Sequence, residues 1–423
     1  MAIISQISLF DYSEIESLGD LERLYLAFEG IDDELLMQKL ERKRKNGRND
    51  YPVRVMWNLT IAMIVFEHKS IASFRRELAR NSQLRKLCGL NEWVKNDKLV
   101  PPPGVFSRFY RTLYSELDEI ARIFNVQVNE LSKMLPGFGT ALAGDGKYIE
   151  SVAKRKPKEQ TSSDDRSENE AEWSTKEYRY TDASGNQKVK KEHHFGFKVH
   201  IICDVATELP VAFRVTPANS GEIKIMQELI DEMKTNIPRV IAAARSVSLD
   251  RGYDSVDMIR TVKEAGIAPV IDIRNMWKDK EETRQYKDTD IVYDCRGNVY
   301  YVDWQDGKLV KIKMKYEGYD SKKKCLRYSY KGKIYKIYIS YDERVFLPIA
   351  RDSKKFKRLY KGRTAVERVN GRLDRDYMFE EHYIRGLKKM TLMVSLAFIV
   401  MNGMAVGKLR NGKTMLRSLK NVS

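Results

Sequence analysis

Phe195 to Met233 reads FGFKVHIICDVATELPVAFRVTPANSGEIKIMQELIDEM, and this stretch decides the fold. FGFKVHIICDV is a nearly continuous apolar run of strand character, ATEL is a turn, and PVAFRVT is a second strand. Asn219-Ser-Gly-Glu222 has the form of a helix cap, followed by an apolar stripe at Ile223, Met226, Ile230 and Met233. Working outward, TALAGDGKYIESV upstream predicts another strand, with Asp145 between two glycines. SVSLD downstream predicts a strand ending at Asp250, SVDMIRTVKEAG a helix with a glycine stop, and IAPVIDI a further strand. The order β-β-β-α-β-α-β predicts an α/β fold with a mixed sheet and helices on both faces. The polar segment from Lys154 to Glu192 reads as a loop.

The flanks differ in texture. Residues 1–135 read as helical, with apolar positions at helical spacing in RVMWNLTIAMIVFEHKSIASFRRELARNSQLRKLCGL and a break at PPPG, Pro101 to Gly104. Residues 136–280 then form the first part of the α/β core, 281–350 a β-rich insertion with DG and KG turn signals, and 351–423 the C-terminal helices of the core. Ten of the 23 tyrosines fall between Val292 and Tyr341, and VKIKMK alternates apolar residues with lysine. Tyrosine favours strands in any protein. A basic, aromatic surface is also what stacks bases and holds a nucleic-acid backbone.

The 423 residues carry 76 Lys and Arg against 59 Asp and Glu, a net charge of +17. This surplus predicts a polyanionic partner, double-stranded DNA before others. No amphipathic basic helix or lipidation signal supports a membrane surface instead. The N-terminus lacks a basic leader and meets acids early, so no signal peptide is expected. The apolar run Met390 to Val406 contains Ser395, Asn402 and Gly403, and reads as a core helix rather than a span. The four cysteines are scattered, which argues against a zinc site or a disulfide framework and for a reducing, cytoplasmic setting.

RLYKGRTAVERVNGRLDRDY, Arg358 to Tyr377, sets Glu367 among Arg358, Lys361, Arg363, Arg368, Arg372 and Arg375. Thr364 and Glu367 have capping-box spacing, which explains the glutamate locally. A helix starting at Thr364 would also return Glu367 to the sheet, beside Asp145 and Asp250. Three carboxylates brought together repel one another unless hard divalent cations neutralise them. Two such ions suit in-line phosphodiester displacement, and the arginines would hold DNA phosphates nearby. Arg368, Arg372 and Arg375 fall on one helical stripe.

Four stretches in order, ALAGDGKYIES, HHFGFKVHIICDVATELPVAFRVTPAN, LDRGYDS and RLYKGRTAVERVNGRL, resemble the DDE transposases of bacterial insertion sequences. The resemblance covers roughly Gly137 to Val406. It implies an RNase H-like catalytic core, with Asp145, Asp250 and Glu367 as catalytic and metal-binding residues. It also implies Mg²⁺ as cofactor, with Mn²⁺ able to substitute, and a homo-oligomer on DNA at the nucleoid. The expected activity is cleavage at terminal inverted repeats and joining of the 3′-hydroxyl ends to target DNA. In the signature Tyr-x2-Arg-x3-Glu-x6-Lys, Tyr360, Arg363 and Glu367 match, while Asp374 stands at the Lys position. Arg372 or Arg375 would have to replace that cation. Tyr360, Arg363, Arg368, Arg372 and Arg375 become candidate DNA contacts. Trp304 is a candidate to stack on a flipped base, or else a ring packed in a small β core. Lys147, close to Asp145, could meet phosphate or be an exposed strand lysine. Arg251 and Tyr253 could orient Asp250, or be a turn residue and a packed ring. Two other readings remain: a structure-selective nuclease on the same core, and a catalytically silent DNA-binding derivative.

Overall fold

The computed structural model describes residues 19–44, 50–90, 99–153, 168–181, 186–274, 277, 279 and 281–413. Its main sheet has six strands: β1 (Ala141–Glu150), β2 (Glu172–Thr181), β3 (Gln187–Asp204), β4 (Pro210–Pro217), β5 (Ser246–Leu249) and β6 (Ala268–Ile271). The path runs β2-β3-β1-β5-β6, with β4 also paired to β3. β1, β2, β3 and β4 pair antiparallel, whereas β1–β5 and β5–β6 are parallel. The sheet is therefore mixed, as the strand order predicts.

One expectation fails. The polar segment read as a loop contains β2 and the first third of β3, which together form a ribbon running past the sheet. β2 is an edge strand, and Trp173 on it is 52% exposed. A ribbon wet on both faces carries no apolar alternation, so the signal that finds buried strands is missing here.

Helices before β1 are α1 (Glu22–Glu29), α2 (Glu34–Arg44), α3 (Val53–Val65), α4 (Ile71–Arg80), α5 (Ser82–Leu87), α6 (Pro103–Leu113) and α7 (Leu117–Met134). Within the core follow α8 (Glu222–Asn236), α9 (Pro238–Ala243) and α10 (Val256–Glu264). After the insertion come α11 (Lys354–Lys361), α12 (Thr364–Asp376) and α13 (Leu387–Arg410). The apolar side chains of the N-terminal helices, the sheet and α13 merge into one hydrophobic core. α13 is the single described helix long and apolar enough to cross a membrane, yet 89% of its apolar window is buried inside the protein. It is a core helix, and the reason is its neighbours. Phe398 meets Phe124 of α7 and Phe213 of β4, and Asn402 donates to the Pro210 carbonyl.

α1 crosses α13 at glycines. A Cβ on Gly30 would lie 1.9 Å from the Gly403 carbonyl oxygen, a backbone atom that cannot swing aside. Gly30→Ala is therefore expected to destabilise the fold by about 3 kcal/mol, read as a lower chemical-denaturation midpoint at unchanged slope.

The insertion holds two small sheets, β7 (Thr283–Gln285) to β10 (Lys308–Lys313) and β11 (Lys315–Asp320) to β13 (Lys333–Tyr338), with β8 at Ile291–Asp294, β9 at Val299–Gln305 and β12 at Cys325–Tyr330. They share a separate hydrophobic core that includes Tyr286, Tyr293 and Tyr328. Part of the tyrosine enrichment is thus structural.

Candidate active site

β1 and β5 run side by side, with Ala143 opposite Ser248. Two residues further along each strand direction stand Asp145 and Asp250, so parallel register brings the two aspartates to one level. Neighbouring strands are about 4.8 Å apart. Asp250 follows the last residue of β5, where open α/β sheets place their ligand sites. Its carboxylate accepts the Gly252 N–H at 2.6 Å and caps a short 3₁₀ turn. A Cβ at 252 would come within 2.7 Å of Asp250 Oδ1, so a larger residue there would push the carboxylate out of its place.

Asp145 is half-buried. Burial first, then the carboxylates of Asp250 and Glu222, push its carboxyl up to about 6, while the Gly146 N–H and the Arg363 guanidinium pull the other way. Strand alternation divides β1 into two faces. Gly146 faces α8, since a Cβ there would meet Glu222 and Lys198. Asp145 and Lys147 take the opposite face, toward α12, where Lys147 Nζ bonds Asp374 Oδ2 at 2.7 Å.

Along α12, residues 363, 367, 370 and 374 follow one another at helical spacing and form a single flank. Since Asp374 reaches Lys147, this flank borders β1. Glu367 sits on it and is 48% exposed, paired with Arg363 at 2.8 Å. The expected capping box is absent. Arg363 is already helical at φ −54°, ψ −31°, and caps with no side chain, while Thr364 donates to the Lys361 carbonyl. α11 leads into α12 through Gly362 and Arg363, both helical in backbone conformation, so no extended residue exists to act as a cap. The second predicted cap fails as well. The N-cap of α8 is Gly221, and Glu222 turns to the Lys198 ammonium at 2.8 Å.

Among the described residues, no three His, Cys, Asp or Glu side chains stand together as a ready metal cage. Asp145 and Asp250 are close enough for the charge of one to raise the pKa of the other. Their oxygen donors and mutual repulsion fit a hard cation. Glu367 would join them only after leaving Arg363.

The remaining candidates have distinct placements. Tyr360 is half-buried, stacks on Phe356, and has its hydroxyl held above the usual tyrosine range by burial and then by Asp272. Arg368 bonds Glu208 at 2.5 Å while keeping half its side chain in water. Arg375 donates to the Gly371 carbonyl and is exposed. Arg372 departs from the expected stripe. It is 7% exposed and its guanidinium reaches the Glu208 carbonyl, so it ties α12 to the β3–β4 turn and has no face left for phosphate. It does not replace the cation missing at Asp374. Trp304 is 65% exposed at the end of β9, across from the equally exposed Leu309, and is not packed in the insertion's core.

Lys198, Glu222 and Tyr253 form a group near the aspartates that the sequence did not bring together. Lys198 is 3% exposed, pairs with Glu222 and lies 4.4 Å from the Tyr148 ring centre. Tyr253 is fully buried, its hydroxyl has no hydrogen-bond partner among the described residues, and burial and then Glu222, Asp145 and Asp250 raise its pKa. A lysine inside the apolar run FGFKVHIICDV was the available signal, because a buried ammonium requires a buried anion.

A family model of the transposase DDE domain matches residues 155–402, more than half of the chain. The chain belongs to this transposase family. Asp250 and Glu367 of the transposase lie inside the matched region, and Asp145 lies ten residues before it. No curated protein matches the transposase. Among solved structures it is similar to a piggyBac transposase in a synaptic complex with hairpin DNA, at 10% identity and a TM-score of 0.38, over 95% of this chain and 78% of that one. That likeness is too loose to transfer detail.

Proposed function

We propose that this transposase cuts DNA at the ends of its element and joins the freed 3′-hydroxyls to target DNA, using an RNase H-like site built on Asp145, Asp250 and Glu367. The observation that carries the reading is the pairing of β1 with β5, which sets Asp145 beside Asp250 while α12 runs along the same face. Mg²⁺, or Mn²⁺ in its place, is the cofactor that oxygen-only ligands favour. When bound, two such ions would activate the attacking oxygen and stabilise the leaving one.

The chain's own residues do the rest. Asp145, on β1, and Asp250, just past the end of β5, supply carboxylates. Arg363 offsets their charge until Glu367 is needed, and it is then free to take a DNA phosphate. Tyr360, Arg368 and Arg375 line the approach and contact the backbone. A net charge of +17 draws the polyanion in. Two ends held together require a homo-oligomer on double-stranded DNA.

The test is incubation of a duplex carrying the sequences that flank the coding region with Mg²⁺ and a target plasmid. Cleaved ends joined to the target support transposition, whereas nicks without joined product would make this a nuclease. Trp304→Ala is expected to weaken handling of the end by about 1–3 kcal/mol, the usual worth of one stacked base. Its melting temperature should move little, because the ring is mostly exposed and lies outside the insertion's hydrophobic core. Fluorescence of a 2-aminopurine placed at the terminal base reads the effect directly.

A further inference from the structure

We propose that Lys147 is a DNA-binding residue of the active site, positioned for a backbone phosphate next to the cut bond by Asp374. The inference rests on the functional reading above and names a further group in that site. Lys147 is two residues from Asp145 on the same strand face, roughly 7 Å along β1. Its side chain is 15% exposed and Asp374's is 28%, so both open on the carboxylate face without lying on the outer surface. An ammonium has three donors, and Asp374 takes one. The Asp374 carboxylate fixes a flexible four-carbon stem, and the stem brings positive charge to the strand that carries Asp145. Arg363 supplies charge from the other end of the same α12 flank, since it pairs with Glu367 and lowers the pKa of Asp145. Asp145 and Glu367 thus lie between two cations, a guanidinium from the helix and an ammonium from the strand. This also answers the sequence mismatch at 374. The helix there carries an acid because the strand carries the base.

The alternative is an ion pair that only fastens α12 to β1. The two roles separate by salt dependence. A cation that meets phosphate contributes counterion release, so its removal lowers the slope of log K against log salt by about 1. A structural ion pair leaves that slope alone.

The experiment measures binding of a labelled element-end duplex by fluorescence anisotropy from 50 to 300 mM salt, with cleavage followed in parallel. Wild type, Lys147→Gln, Lys147→Arg and the double change Lys147→Gln with Asp374→Lys are compared. Lys147→Gln keeps the stem, and is expected to lower the slope by about 1 and to weaken binding several-fold at low salt. Lys147→Arg should keep the slope. The double change carries the ammonium to the helix side and should recover it. An unchanged slope in Lys147→Gln, or a double change that recovers melting temperature but not slope, would overturn the proposal. If wild type binds the duplex and shows no cleavage in any divalent metal, the functional reading fails while the binding comparison still stands.

Discussion

Asp145→Asn is expected to abolish DNA cleavage and at the same time to stabilise the metal-free protein at neutral pH. The two effects share one cause. Asp145 titrates at about 6 in the folded chain, against 3.8 for a free side chain, because it is half-buried beside Asp250 and Glu222. A carboxyl whose folded pKa is raised binds its proton more tightly when folded. The folded state therefore loses stability as pH climbs from about 4 to about 6, and the full penalty persists above that. Asparagine cannot ionise and removes the penalty, worth about 1–3 kcal/mol after allowance for solvent at a half-buried site. Melting curves at pH 4.5 and pH 7.5 check this: the variant should gain clearly more on wild type at the higher pH than at the lower. Added Mg²⁺ or Mn²⁺ should raise the melting temperature of wild type and leave the variant unmoved. Cleavage by the variant should fall at least about a thousandfold, because the site loses a metal-holding oxygen on β1.

Glu367→Gln is the second large effect, and it has the opposite stability signature. The Glu367–Arg363 pair is half-exposed, so its loss should cost no more than about 1 kcal/mol. DNA binding should hold or tighten slightly, since Arg363 is released from its carboxylate. Cleavage should nonetheless fall by at least about a thousandfold, since a neutral amide does not complete a cation site. Gel-shift and cleavage assays on the same duplex separate the two. If the variant cut normally, Glu367 would be no part of the site, and the partly buried Glu222 beside Lys198 would be the next carboxylate to test.

Much of the architecture was legible because burial leaves a pattern. The buried part of β3, and β4, β5 and β6, each read as short apolar runs, α8 as a striped helix and α10 as a helix with a glycine stop. The mixed sheet follows from the strand order, whereas the parallel pairing of β1 with β5, which brings two aspartates 105 residues apart to one level, is seen only in the structure. Whatever leaves no such pattern escaped. β2 sits on a wet ribbon. Both capping boxes were read from spacing, yet spacing does not report whether the chain before the helix is extended. At Arg363 it is helical, and at Gly221 the cap carries no side chain. Glu222 was assigned to its own backbone because nothing local shows that Lys198, 24 residues earlier, lies buried within reach. The acid at 374 looked like a defect in the signature, since its base is on a strand 227 residues away.

The central claim is that Asp145 and Asp250 form one divalent-cation site that cuts DNA. The most direct measurement is cleavage of the flanking-sequence duplex by wild type and Asp250→Asn across a titration of Mg²⁺ and Mn²⁺. The account predicts no cutting without divalent metal, 3′-hydroxyl ends with it, and none from the variant at any concentration. Cutting that persists in a chelator, or in Asp250→Asn at wild-type rate, would contradict it.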